Sequence, residues 1–430
     1  MMPGHDQHDD RRLRSDDRPR WGLGERSARV RAAMVEALSG SGAVRDPAVL
    51  DAMGRVPREA FVPRFWSLPP PMQAGTPADV REWSVQDADE GAAALDLVYD
   101  IDRALSIRGD PRASGPAGAG VTSTASAPRI VGSMLELLEL SPGMSVLEIG
   151  TGSGYNAALL REMVGRHGSV ASVDIDAGLV TETAVRLEAA GYGDVQVVAV
   201  DGYFGLSERA LFDRVVATVG CVDVAPAWLE QVSPGGFCLV PLQHGGWHPL
   251  NRIERSGGRI SGLVVGRAGF VAIQGHQAGR SPWPHAGPLG PRLEVEWAAL
   301  PAGLAAELQP EAGRETVGGR PMWDLAYLLA LEDRRTAFML SLADHASSAA
   351  VDPGQGRIGL VGPDGPAMRD RLLEVAQRWV ALGRPSLDDY TSSFTSLAHG
   401  AGREAAGPAV ARWTVDRVDF RQTVSLNIGD

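Results

Sequence analysis

The stretch Ser145–Tyr155, S-V-L-E-I-G-T-G-S-G-Y, leaves the chain few ways to fold. The apolar run Val146-Leu147-Glu148-Ile149 has the length of a buried strand, and it leads straight into Gly150, Gly152 and Gly154 at alternate positions. A helix-compatible segment, residues 156–164, follows. Strand, glycine turn and helix in that order predict a βα unit whose turn lets a ligand approach the backbone closely, because no side chains intervene.

What flanks the turn constrains the ligand. A dinucleotide fingerprint reads G-x-G-x-x-G and cradles a pyrophosphate. Here the spacing is G-x-G-x-G, and Tyr155 stands where that pattern wants its last glycine. Glu148, two residues before the first glycine, brings a carboxylate to the ligand end of the strand. That charge repels a pyrophosphate and suits a ligand bearing an ammonium and a sulfonium, as S-adenosylmethionine does. A second acid, Asp174, ends the run 170–173 and is placed to accept from both ribose hydroxyls. A third run, 195–200, ends in Asp201-Gly202, facing the adenine edge, and a fourth, 214–217, follows Asp213. Strand ends sharing a crevice are where open α/β sheets bind ligands. An ordinary glycine-rich turn has no need of acids at three successive strand ends.

From residue 141 to about residue 275, strands and helices alternate. This predicts a doubly wound, mainly parallel sheet covered on both faces, a Rossmann-like α/β fold over 122–280. Residues 1–24 are charged and aperiodic and read as a disordered tail. Residues 25–121 read as an N-terminal helical cap. Its parts are a helix over 27–38, a second helix with Asp46 as N-cap and Pro47 at its first position, an extended 56–63, an insertion over 64–95, a short strand at 97–102 and a loop over 109–120. The hydroxyl-rich segment 122–128, T-S-T-A-S-A-P, reads as a loop before a helix over 129–139. A helix at 226–232, a stop at S-P-G-G and a strand at 237–242 close the alternation. Proline and glycine punctuation at 281–291 sets off 281–430 as a smaller C-terminal α/β accessory or substrate domain. In it a helix is expected over 323–342, a strand at 357–361, a helix over 367–382, a solvated loop at 389–394 and a β-rich end at 413–428.

With 41 basic and 53 acidic residues, the formal net charge of −12 has the wrong sign for gripping a nucleic-acid backbone. No apolar run reaches the roughly 18 residues of a membrane span, and the first residues lack the apolar core of a signal peptide. The two cysteines, Cys221 and Cys238, fit a reducing cytoplasm. His244 and His248 lie across two glycines rather than on one helical face, and no cysteine or acid completes a set. They are read as a substrate-facing loop or a solvated turn, and no metal is expected.

Several stretches together resemble the protein-L-isoaspartate O-methyltransferase family. Residues 49–63, V-L-D-A-M-G-R-V-P-R-E-A-F-V-P, look like its N-terminal signature; 124–128, T-A-S-A-P, like its hydroxyl loop; and 146–155 like its cofactor turn. D-G-Y-F-G (201–205), F-D-R-V-V-A-T (212–218) and W-L-E-Q-V-S-P-G-G (228–236) follow in the family's order. The resemblance implies a class I S-adenosyl-L-methionine-dependent methyltransferase acting on a peptide or protein that bears Asp or isoAsp. It implies that Glu148, Gly150, Thr151, Gly152, Gly154 and Tyr155 hold the cofactor together with Asp174, Ile175, Asp201, Gly202 and Thr218. Thr124 and Ser126 would be the catalytic hydroxyls, with Pro128 beside the substrate. The oligomeric state stays open. The family's repair enzymes are shorter, lacking both the 64–95 insertion and residues 281–430, and their small-residue segment after the fourth strand reads Thr218-Val219-Gly220-Cys221 here. In length, and in P-A-W-L-E-Q and H-G-G-W-H-P-L, the chain looks more like relatives associated with lanthipeptide and graspetide pathways. Those methylate an aspartate of a ribosomal peptide, and the ester closes to a succinimide (aspartimide) or opens to isoaspartate.

A carboxylate of pKa about 3.9 is ionised at neutral pH and needs no general base. The task is to hold carboxylate oxygen, methyl carbon and sulfur in line and to keep water out. Ser126 is expected to orient the carboxylate and Thr124 to support it; the same hydroxyls also suit capping of the next helix. Tailoring of a ribosomal peptide is the expected role because of the added C-terminal region, with repair of damaged proteins as its alternative. A non-catalytic S-adenosylmethionine- or peptide-binding module and a small-molecule methyltransferase are the competing classes. Glu148, Asp174 and Ser126 speak against the first of these, and V-P-R-E-A-F-V-P against the second.

Overall fold

A computed structural model describes residues 21–67, 80–109, 120–283, 295–308, 320–337, 340–398 and 409–427. Residues 1–20 of the expected tail, 68–79 of the insertion, the loop 110–119 and the punctuated run from 284 lie outside the described residues. Trp21–Gly40 is helix α1, so the last four residues assigned to the tail are its first turn. Helix α2 (Pro47–Arg55) starts as expected: Asp46 accepts from the Ala48 N–H at 2.8 Å, and Pro47 fills the first position.

Two expectations for the cap give way to local chemistry. The stretch between Pro57 and Pro63 is not extended throughout, because the prolines bracket five residues whose N–H groups are intact, and the first four of them can close a turn of helix. These form α3 (Arg58–Phe61), which buries Arg58 and Phe61. After β1 (Arg64–Ser67) and β2 (Glu82–Ser84), the alanine-rich α4 (Gly91–Val98) replaces the strand expected at 97–102. The hydroxyl-rich segment is also not a loop. Its β-branched Val121, Thr122 and Thr124 favour extended chain, and β4 (Val121–Ala125) pairs with β3 (Leu105–Gly109) in a sheet of order β2-β1-β3-β4.

Helix α5 (Pro128–Leu137) leads to the alternating unit: β5 (Ser145–Ile149), α6 (Tyr155–Val164), β6 (Ser169–Asp174), α7 (Ala177–Ala189) and β7 (Gln196–Ala199). It continues through β8 (Phe212–Ala217), α8 (Pro226–Gln231) and β9 (Val232–Pro241). These five strands are parallel in the order β7-β6-β5-β8-β9, so the winding reverses between β5 and β8. Val146, Val170 and Val216 pack on one face, while Leu147, Ala171 and Val215 pack with Trp228 on the other, the alternation of a sheet buried on both sides. S-P-G-G does not stop the chain; it makes an irregularity in the β8–β9 pairing, and β9 runs through it.

From β9 onward the sheet is antiparallel. Gly257 and Gly258, with φ of +56° and +80°, turn β10 (His248–Ser256) into β11 (Arg259–Ala268) through a two-residue hairpin. The chain then builds a separate sheet of order β12-β15-β14-β13 from β12 (Glu296–Ala299), β13 (Ser341–Ala343), β14 (Ser348–Asp352) and β15 (Arg357–Val361). Helices α9 (Ala302–Leu308), α10 (Arg320–Glu332) and α11 (Gly365–Ala381) accompany it. Helix α10 ends ten residues earlier than expected because Asp333 turns the chain, accepting from the Arg335 N–H at 2.9 Å. Residues 390–394 of the expected loop 389–394 belong to β16 (Tyr390–Ser396), whose Tyr390, Ser392 and Phe394 are buried and which pairs with β11. With β17 (Ala411–Asp416) and β18 (Phe420–Leu426) it extends the sheet to ten strands, ending β11-β16-β18-β17. The boundary drawn at 281 therefore cuts one continuous sheet, and Trp247 and Val264 from one side share a core with Tyr327, Trp379 and Val424 from the other. Among the described residues, no helix is long and apolar enough to cross a membrane.

Candidate active site

A cavity of about 410 Å³ opens where the winding reverses. Its floor is the glycine turn. Gly150 has φ +98°, and a Cβ there would meet Thr218 Oγ1 at 2.8 Å, so the turn presses directly on the end of β8. Gly152 (φ +51°) faces Ser123 Oγ and the Thr124 carbonyl at 3.6 and 3.7 Å from where its Cβ would stand. A side chain at that point would fill the gap between the turn and β4.

Acids stand at three strand ends around this floor. Glu148 is fully buried, accepting from Asn156 Nδ2 at 2.8 Å and from the Ser172 hydroxyl at 2.6 Å. Burial raises its carboxyl to about 7 against the pull of those two hydrogen bonds, and the nearby Asp174 charge adds to the rise. Asp174 accepts from the Gly152 N–H and the Asp176 N–H, both at 3.1 Å. Asp201 accepts from the Tyr203 N–H at 3.0 Å and the His276 N–H at 2.8 Å. Each carboxylate keeps lone pairs for a ligand. Thr151, Tyr155, Ile175, Gly202 and Thr218 also line the cavity.

Strand β4 and the start of α5 form the opposite wall, and Thr124 and Ser126 line it. They do not cap α5: its N-cap is Ala127, with no side-chain hydrogen bond. Neither hydroxyl is spent on the helix end. Ile130, Val131 and Met134 of α5 and the chain from Phe270 to Gly275 supply the remaining wall.

Four expected residues are not part of this lining. Gly154 caps α6 with φ +87°, and its Cβ would meet Thr183 Cγ2 at 2.5 Å, so it is required for packing of α6 against α7. Pro128 is buried as the first residue of α5. His244 and His248 are both buried and neither lines the cavity. His244 packs between Trp283 and Tyr327, and burial, helped by the Arg417 charge, drives its pKa well below the ordinary value. His248 accepts from the Phe270 N–H at 3.3 Å behind the cavity wall, and burial lowers it to about 4. Both are neutral at neutral pH. Among the described residues, no group of three or more His, Cys, Asp or Glu is placed to hold a metal.

Sequence reading missed Arg58, Asn156, Ser172 and the 270–275 segment. Ser172 had a signal, a hydroxyl inside an otherwise apolar parallel strand. The 270–275 segment had none: it is aperiodic and held by backbone pairing, with the Gly220 N–H on the Val271 carbonyl at 2.9 Å and the Ile273 N–H on the Gly220 carbonyl at 3.0 Å.

A glycine floor that a Cβ would obstruct, with carboxylates spaced along successive strand ends, fits the adenosyl, ribose and ammonium groups of S-adenosyl-L-methionine. The class defined is that of the doubly wound S-adenosylmethionine-dependent methyltransferases. The family model described as protein-L-isoaspartate(D-aspartate) O-methyltransferase (PCMT) matches residues 89–278. A protein-L-isoaspartate O-methyltransferase of Methanococcoides burtonii is 33% identical over 243 residues, covering 56% of this chain and 98% of its own. The chain belongs to the protein-L-isoaspartate O-methyltransferase family. A solved protein-L-isoaspartate O-methyltransferase structure covers 84% of this chain and 96% of its own at 21% identity and a TM-score of 0.47. A putative Plasmodium falciparum member in complex with S-adenosyl-L-homocysteine covers 57% and 98% at 15% identity and a TM-score of 0.42.

Proposed function

We propose that the protein methylates the free carboxylate of an isoaspartyl residue in a peptide or protein. The matched relatives bear that activity in their names, which puts it ahead of ribosomal-peptide tailoring, the role the chain's length suggested. The observation that carries the reading is one cavity with two chemistries: acids at the strand ends, and, across the glycine turn, hydroxyl residues on β4 and just after it, Thr124 and Ser126.

The bound cofactor supplies a methyl group on a sulfonium. Asp174 is placed for the ribose, Asp201 for the adenine edge and Glu148 for the ammonium end. Ser126 donates a hydrogen bond to the substrate carboxylate and fixes its angle, and Thr124 supports it from the same wall. No residue has to remove a proton, since the carboxylate is already ionised. The apolar side chains of α5 and of Phe270–Ile273 keep water from the nucleophile. The nitrogen of the following backbone amide attacks the ester carbonyl and expels methoxide, which leaves with the amide proton as methanol, so the succinimide closes without further catalysis.

The test is S-adenosylhomocysteine release with a linear isoaspartyl peptide against the same sequence with ordinary aspartate. Turnover of the isoaspartyl form alone supports the reading. The second reading, tailoring of an aspartate in a macrocyclic ribosomal peptide, rests on the added C-terminal strands and sheet, and it predicts turnover of the macrocycle and none of the linear isoaspartyl peptide.

A further inference from the structure

Arg58 lines the same cavity and is fully buried, yet it is committed to no acid. Its Nε donates to the Val98 carbonyl at 2.8 Å, and its Nη2 donates to the Ala125 and Ser126 carbonyls at 3.3 and 2.8 Å. Nη1 has no partner at all, and the guanidinium carbon lies 5.1 Å from the centre of the Tyr155 ring. The neighbouring Glu59 is engaged elsewhere, with Ser27 and the Tyr99 hydroxyl. Among the described residues, then, Arg58 bonds only to neutral groups.

This is costly, because a buried cation is normally paired. It is also one-sided. Glu148, Asp174, Asp176 and Asp201 line the cavity, and Arg58 is the one basic side chain among the lining residues. A cavity walled by carboxylates repels an anionic substrate unless positive charge stands where that substrate docks. Arg58 stands there: its Nη2 holds the carbonyl of Ser126, the residue assigned to the substrate carboxylate. The cavity is thus polarised, with acids toward the cationic cofactor and a single unneutralised cation behind the hydroxyl wall.

We infer that Arg58 is the specificity-determining residue that selects an anionic peptide carboxylate over neutral side chains and over the neutral ester product. This rests on the carboxyl-methylation reading above. Transfer removes the negative charge, so the attraction vanishes with the reaction and favours product release. The same attraction stabilises the carboxylate before transfer as much as it draws it in, so Arg58 acts on KM rather than on kcat.

The experiment is calorimetric binding, with S-adenosylhomocysteine present so that no transfer occurs. One probe is a linear isoaspartyl peptide and the other is the same peptide with that α-carboxylate replaced by a carboxamide. The wild type is expected to bind the carboxylate at least about tenfold more tightly. In Arg58→Met the two peptides should bind within about twofold of each other, while Arg58→Lys keeps part of the preference. A purely structural role for Arg58 would weaken both peptides equally and leave the ratio intact, which overturns the inference. If Arg58→Met fails to fold, the wild-type ratio still decides: equal binding of the two peptides overturns it. A wild type that methylates the peptide without preferring the carboxylate defeats this inference alone. A wild type that releases no S-adenosylhomocysteine with the peptide and binds neither form defeats the functional reading and this inference with it.

Discussion

The Tyr203 hydroxyl donates to Asp419 Oδ2 at 2.9 Å, joining residues 216 positions apart. Tyr203 stacks on His276 with ring centroids 4.0 Å apart, and the His276 N–H is held by Asp201 on the cavity wall. The Asp419 N–H in turn goes to Asp223 at 2.7 Å. The turn between β17 and β18 therefore props the Asp201 end of the cavity.

Removing that prop should act on the cofactor and not on the chemistry. Tyr203→Phe loses a hydrogen bond worth about 0.5–1.5 kcal/mol, which raises the Kd for S-adenosylmethionine by roughly 2- to 12-fold. The rate at saturating cofactor stays unchanged, and calorimetry with steady-state kinetics checks both. Truncation after residue 280 strips β16 from β11 and is expected to abolish soluble expression or cofactor binding. A soluble truncated chain with full cofactor affinity would contradict this.

Glu148 gives the cofactor site a pH dependence. Its carboxyl titrates near 7 in the folded protein against an ordinary value of 4.5, so it is largely protonated in mildly acid solution. An ammonium prefers the ionised form, so cofactor binding should weaken as pH falls below about 7 and release protons near that value. For stability the sign is opposite. A raised carboxyl favours the folded state below its unfolded pKa, and that contribution is lost as pH rises through the folded value, about 7. Asp223, raised from 3.8 to about 7 by burial despite the Arg417 charge, adds to the same trend. Calorimetry in buffers of differing ionisation enthalpy tests the proton release, and Glu148→Gln should remove it.

Ser126→Ala should lower kcat. A hydrogen bond to a charged group is worth about 1.5–3 kcal/mol, so the loss is about 10- to 150-fold, with cofactor Kd unchanged. Thr124→Val is expected to give a smaller loss in the same assay.

Arg417 is a structural cation. It donates to the Val222 carbonyl at 2.5 Å and to Gln422 Oε1 at 2.9 Å, and its charge opposes the burial of Asp223. Arg417→Met leaves those buried acceptors without their donor, and stability should fall by about 1–3 kcal/mol in denaturant unfolding. Adding Asp223→Asn should recover part of the loss.

What the sequence made legible was local. The turn after Ile149 is written in three glycines and the acids around it, and the start of α2 in Asp46 and Pro47. What it concealed depends on distant partners. Arg58 sits in a proline-bracketed stretch expected to be extended, and only the fold shows it buried behind Ser126. His244 and His248, flanked by glycines, look exposed until Trp283 and Tyr327 close over His244 and the chain at Phe270 closes over His248. The strand at Tyr390–Ser396 has the polar composition of a loop, and pairing with β11 makes it part of the sheet.

The central claim is that one cavity brings a methyl donor to a peptide carboxylate. The direct measurement is transfer of label from methyl-labelled S-adenosylmethionine to a linear isoaspartyl peptide, with the label then assayed for release by mild base. The account predicts stoichiometric label transfer with the wild type, all of it recovered as methanol on succinimide closure or mild base, and strong loss with Asp174→Ala. Label that stays on the peptide after base treatment, or no label on any carboxylate-bearing peptide, would contradict it.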